Sequence, residues 1–188
     1  SQTDYRRYNI RPDHPAIVKG KAGSPYAIKD YYDVDPDLAT DVPGRMKEFE
    51  NLVSRTHRAG LKVIIDFVPN HVARQYNSDA QPDGTTQLGA NDDPNYSFSP
   101  YNNFYYIPQS ELHGQFDMTG NALEPYHEFP AKATGNNRFD AYPNINDWYE
   151  TVKLNYGVDY QNGGTCHFSP TPDTWTKMLD ILLFWSSK

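Results

Sequence analysis

Between residues 41 and 68 the chain changes its hydrophobic rhythm once. Met46, Phe49, Leu52, Val53 and Thr56 recur every three or four positions, the spacing of one helical face. Asp41 offers an N-cap with Pro43 just inside the start, and Gly60 stands where helices often end in a left-handed glycine. Val63, Ile64, Ile65, Phe67 and Val68 then follow almost without interruption. An apolar run that does not alternate predicts a strand over 61–68 covered on both faces, as in a parallel sheet. Helix, one-residue turn and buried strand form the repeat of an α/β barrel or an open parallel sheet.

The rest of the pattern is uneven. Residues 1–44 are rich in Pro, Gly, Asp and Tyr and read as a long ordered loop. From 74 to 146 periodicity disappears and turn residues dominate, which predicts a subdomain inserted after one strand. Its aromatic residues, Tyr96, Phe98, Tyr101, Phe104, Tyr105 and Tyr106, read as a small core, with sugar-stacking platforms as the alternative. Pro172 and Asp173 open a second helix whose expected buried side is Trp175, Met178, Leu179, Leu182, Leu183 and Trp185. The expected organisation is three segments: 1–73, a partial barrel segment; 74–146, the insertion; and 147–188, a return ending in a helix. The fold class is α/β, α+β in appearance.

Composition narrows this further. Hydrophobic residues make up 37% of the 188, but fifteen of them are Tyr, so the aliphatic supply is thin for a self-contained domain. Aromatic residues at 14% are too many for a disordered chain. The sequence reads as part of a larger folded protein, with strand edges and apolar faces that promote self-association of the piece alone. A net charge of −7 speaks against nucleic acid and anionic membranes as partners. No apolar run reaches the roughly 18 residues of a membrane span, and no signal-like segment opens the chain. The single cysteine, Cys166, excludes an internal disulfide framework and reads as structural.

Candidate chemistry collects after the predicted strand. In barrels and parallel sheets, sites lie beyond the carboxyl ends of strands, where Asp66, Asn70 and His71 fall. The plain alternative is a backbone-capping Asp66 and a satisfied turn histidine. The sequence DFVPNH, 66–71, resembles the first signature region of the α-amylase family, glycoside hydrolase family 13. SPYAIKDYYDVDP, 24–36, resembles the family's Gly-Tyr-x-x-x-Asp-Tyr segment, with Tyr26, Asp30 and Tyr31 at its spacing. YPNINDW, 142–148, resembles the Pro-Asp-Leu-Asn region near the end of the inserted B domain.

The resemblance implies an incomplete (β/α)8 TIM-barrel segment with a loop-rich B domain. It implies that Tyr26 stacks on a sugar in the cleavage subsite, that His71 donates to a sugar hydroxyl there, and that Asp66 orients its neighbours. Asn70 is similar to a position whose amide oxygen binds calcium in many members, which makes calcium the candidate cofactor. Asn144 stands where those members carry a calcium-binding aspartate, a departure that counts against the metal.

The implied substrate is an α-glucan or oligosaccharide, cleaved with retention by a parent enzyme whose nucleophile and acid lie after later strands. By this reading the 188 residues supply a cleft wall and are inactive alone. A transferase or disaccharide-active member and a non-catalytic carbohydrate-binding module are the alternatives. The family's habits favour an extracytoplasmic setting.

Other groupings carry less. Asp33, Asp35 and Asp37 imitate a calcium loop, but Leu38 and Gly44 occupy its required glycine and glutamate positions, so a solvated acidic loop is expected. The six histidines show no metal-binding spacing, and His57, His113, His127 and His167 read as surface or loop residues. Asn95-Tyr96-Ser97 is a glycosylation sequon whose meaning depends on a secretory setting.

Overall fold

The structure is a computed structural model and describes residues 3–114 and 122–188, so residues 115–121 of the expected insertion lie outside it. The two expected helices are present. The first, α1 (Arg45–Arg58), begins after Gly44 and not at Asp41. Residues 41–44 form a turn, with the Gly44 N–H donating to the Asp41 carbonyl, and the Glu48 carboxylate accepts from the N–H groups of Thr40 and Asp41. At its far end Gly60 has φ of +76°, the Gly60 N–H donates to His57 and the Leu61 N–H to Thr56. This is the paired closure that a C′ glycine makes possible.

The predicted strand over 61–68 is corrected. These residues run on from α1 and join no ladder among the described residues. Leu61, Ile64 and Ile65 are exposed, Ile64 to 94%. A parallel strand is completed by neighbours on both edges, and the described residues supply none.

The pairing that does form is short and antiparallel. Strand β1 (His71–Ala73) pairs with β4 (Thr151–Lys153), setting His71 opposite Lys153 and Ala73 opposite Thr151. Strand β2 (Tyr106–Ile107) pairs with β3 (Ala131–Lys132), and β5 (Val158–Asp159) with β6 (Thr165–Cys166). The family resemblance implies a TIM barrel; the described residues form a small mixed α/β unit with no closed barrel.

The main core draws on all three expected segments: Tyr31 and Tyr32, then Phe104 and Tyr106, then Val152, Leu154, Met178 and Ile181. The aromatic patch therefore divides. Phe104, Tyr105 and Tyr106 are buried as expected of a core, whereas Tyr96 and Tyr101 are exposed.

Helix α2 (Asp173–Ser186) starts where expected but presents a different face inward. Thr174, Lys177, Met178 and Ile181 are buried, while Trp175, Leu179, Leu182 and Leu183 are exposed. The reason is polar: Asn103, fully buried, donates to Thr174 and accepts from Lys177. These bonds turn the helix by one position relative to its apolar stripe, because a buried amide without partners costs more than an exposed leucine.

Candidate functional site

Residues 24–31 run beside β1 and the residues that follow it. The Ala73 N–H donates to the Ile28 carbonyl, and the Asn77 N–H to the Lys29 carbonyl. Tyr31 is buried and its hydroxyl donates to the Val68 carbonyl at 2.5 Å. Asp30 accepts from the Ser78 hydroxyl and from the N–H groups of Tyr32, Asp79 and Ala80. Burial pushes its carboxyl above the usual range against those bonds. Asp30 and Tyr31 thus act as fasteners, and they bring Tyr26 beside the start of β1.

There the expected site residues separate into two groups. Tyr26 and His71 come together: the Tyr26 backbone hydrogen-bonds to the imidazole and favours its protonated form, so its carbonyl is the acceptor. The Tyr26 side chain is 55% exposed. His71, expected beyond the carboxyl end of a strand, is itself the first residue of β1 and only 6% exposed. Its register opposite Lys153 draws it inward, and the Trp148 ring lies 5.3 Å from it, centroid to centroid. Asp66 is exposed, and no hydrogen bond or ion pair among the described residues joins it to this cluster.

Asn70 holds the cluster together. Its Nδ2 donates to the Gly135 carbonyl at 2.9 Å and stands 2.9 Å from His71 Nδ1, while its Oδ1 accepts from Lys153 Nζ. A carbonyl can only accept and an ammonium can only donate, so these two partners fix which way the amide points. His71 Nδ1 therefore faces a donor and must accept. The neutral ring carries its hydrogen on Nε2. Burial, the largest influence, pushes the His71 pKa below its ordinary value, and Lys153 adds to this against the Tyr26 carbonyl and Glu150.

The cradle leaves no room for error. A Cβ at Gly135 would come within 2.9 Å of His71 Cβ and Cγ, so glycine is what lets that loop close over the ring. Beneath it Arg74, with a fully buried side chain, donates to the carbonyls of Tyr149 and Thr151 and pairs with Glu128 at 2.6 Å. Trp148, Lys153, Gly135 and Arg74 escaped sequence reasoning. Only Lys153 left a trace: Leu154-Asn155 repeats the Leu-Asn ending of the region to which 142–148 was compared. Asn144 sits in an exposed turn closed by Asp147, so it is Lys153 that faces Asn70.

The calcium expectation meets these contacts directly. The amide oxygen that would bind the ion is taken by an ammonium. Among the described residues no group of three or more His, Cys, Asp or Glu side chains could hold a metal ion. The residues present do not fit calcium at Asn70.

The family model described as alpha amylase, catalytic domain, matches residues 14–156. The human protein named amino acid transporter heavy chain SLC3A1 is 27% identical over 163 residues, 87% of this chain and 19% of its own length. An alpha-glucosidase of Apis mellifera is 38% identical over 80 residues, 43% of this chain and 11% of its own. A trehalose-6-phosphate hydrolase of Bacillus subtilis is 41% identical over 51 residues, 27% of this chain and 8% of its own. The chain thus spans a fifth or less of the length of these relatives. No solved structure matches it. With a match that spans residues 14–156, a range that takes in Tyr26, Asn70, His71 and Lys153, the chain belongs to the alpha-amylase family, glycoside hydrolase family 13.

Proposed function

We propose that this chain forms part of the sugar-binding wall of a retaining glycoside hydrolase that acts on α-glucosidic bonds in an α-glucan or oligosaccharide. The observation that carries the reading is the convergence of Tyr26 and His71 within the matched stretch, beside a half-exposed indole. Two exposed aromatic faces, Tyr26 and Trp148, suit the apolar face of a pyranose. The His71 Nε2–H, the tautomer that Asn70 sets, is the donor that would pass from the Tyr26 carbonyl to a sugar hydroxyl when a sugar enters. Asp66, exposed on the preceding segment, is a carboxylate available to accept from sugar hydroxyls.

The nucleophile and the acid of a retaining pair belong, on this reading, to barrel strands beyond these residues, so the 188 residues alone hydrolyse nothing. In the full-length protein, His71→Ala should lower kcat/KM for a p-nitrophenyl α-glucoside by about 10²-fold. A value close to wild type removes His71 from the site.

A second reading follows from the relatives whose name is amino acid transporter heavy chain, among them the one that aligns over 87% of this chain. A non-catalytic member would bind no maltotriose and cleave no glucoside at full length while folding normally. Calorimetric titration with maltotriose separates the two.

A further inference from the structure

The Lys153–Asn70–His71 chain has a consequence that does not depend on which sugar, if any, is bound. Lys153 is nearly buried, and its ammonium approaches only two groups described for it, Asn70 Oδ1 and the face of the Tyr160 ring, 5.8 Å from the centroid. A buried cation bound to a neutral amide lacks the usual reason to be there, namely a carboxylate partner. What it does instead is fix the amide. With Oδ1 occupied, Nδ2 has to serve the Gly135 carbonyl and His71 Nδ1 together.

We infer that Lys153 is a positioning residue that stands in for the divalent cation implied at Asn70: an internal ammonium holds the amide that sets the His71 tautomer, and no metal binds there. A metal ion and an ammonium both place positive charge on the amide oxygen. The ammonium is covalently attached, needs no carboxylate ligands and cannot be removed by a chelator. The register of β1 and β4 delivers it, since His71 lies opposite Lys153.

The test uses the full-length protein and two readouts other than activity. Thermal unfolding of the wild type is followed with EDTA and with calcium chloride. The expected result is a Tm unchanged to within about 1 °C in both, where a stabilising ion would shift it by on the order of several degrees. A chelator-induced loss that calcium restores, and that Asn70→Ala abolishes, overturns the proposal. The same loss persisting in Asn70→Ala places the ion elsewhere and leaves Asn70 metal-free, as proposed.

The second readout is the ¹⁵N spectrum of the His71 imidazole. Wild type should show the hydrogen on Nε2 alone, Lys153→Met a mixture of tautomers, and Lys153→Arg, which keeps the donor, the wild-type pattern. An unchanged spectrum in Lys153→Met shows that the lysine does not position the ring. Were Lys153→Met not to fold, the chelation results on the wild type and on Asn70→Ala would still decide whether a metal occupies Asn70.

Discussion

Two neighbouring stretches invert the usual relation between hydropathy and burial. Residues 61–68 are a strongly apolar run, yet Ile64 is 94% exposed and the run joins no ladder among the described residues. Residues 70–74 and 149–155 carry Asn, His, Arg, Glu, Thr and Lys, and most of these are buried. The difference lies in partners. Strands β1 and β4 pair with each other, and their polar side chains find carbonyls, amides and a carboxylate on the loops above and below. The run over 61–68 suits a parallel sheet and has no strand beside it among the described residues. Polar residues that meet hydrogen-bonding or ionic partners are stable inside, Glu150 Oε2 through Lys19 at 3.3 Å without a hydrogen bond, and apolar residues without a surface to meet are left outside.

The sharpest way to break this comparison is at its polar side. Arg74→Met removes a buried guanidinium and leaves Glu128 only Lys132 and Tyr126 as partners, and should destabilise the chain by about 3–5 kcal/mol in chemical denaturation. Adding Glu128→Gln should recover part of that loss, since a buried charge that has lost its guanidinium is then gone. A loss below about 1 kcal/mol for Arg74→Met would mean that the loops are held by something else.

Gly135→Ala comes next. The added methyl meets His71 and should cost about 1–3 kcal/mol by overpacking, read from the denaturation midpoint. An unchanged midpoint would show that the loop over the ring yields freely.

A pH series sharpens the same contrast. Burial pushes the Glu128 carboxyl up, but Arg74, Lys132 and the hydrogen bonds from Lys132 and Tyr126 outweigh it and hold the group below its ordinary value of 4.5. A carboxyl lower in the folded than in the unfolded chain contributes stability that is fully present above the unfolded value. That stability is lost as pH falls through the folded value. The denaturation midpoint should therefore hold near neutrality and drop below about pH 4.5, and Glu128→Gln should flatten the drop. An equally steep fall in the variant would assign acid sensitivity to other carboxylates.

The smallest effect belongs to the apolar side. Ile64→Lys should change the stability of the 188-residue chain by no more than about 0.5 kcal/mol, because nothing is packed against it. It should also weaken the self-association expected of the chain by sedimentation. A large destabilisation would show that the run over 61–68 is buried after all.

How much of this was legible from residues alone can be judged element by element. Helix α1 was readable because its periodicity and Gly60 are local signals, although its start moved to Arg45. Helix α2 was readable in extent and misread in orientation, because Asn103, seventy residues away, decides which face turns in. Tyr26 and His71 were singled out through motif spacing, and in the structure the Tyr26 main chain hydrogen-bonds to the His71 ring. Trp148, Gly135 and Lys153 were missed because their roles arise from pairings across long sequence separations, which no periodicity announces.

By itself, then, the amino-acid order determined the family and the two helical spans, and its motif spacing singled out Tyr26 and His71 as candidates. These depend on neighbours a few positions apart, where spacing and backbone preference suffice. The tertiary structure alone decided what lies inside, which way the second helix faces and that the Lys153 ammonium meets Asn70. Burial and charge compensation belong to pairs of surfaces, and a surface acquires its partner only when the chain has closed on itself.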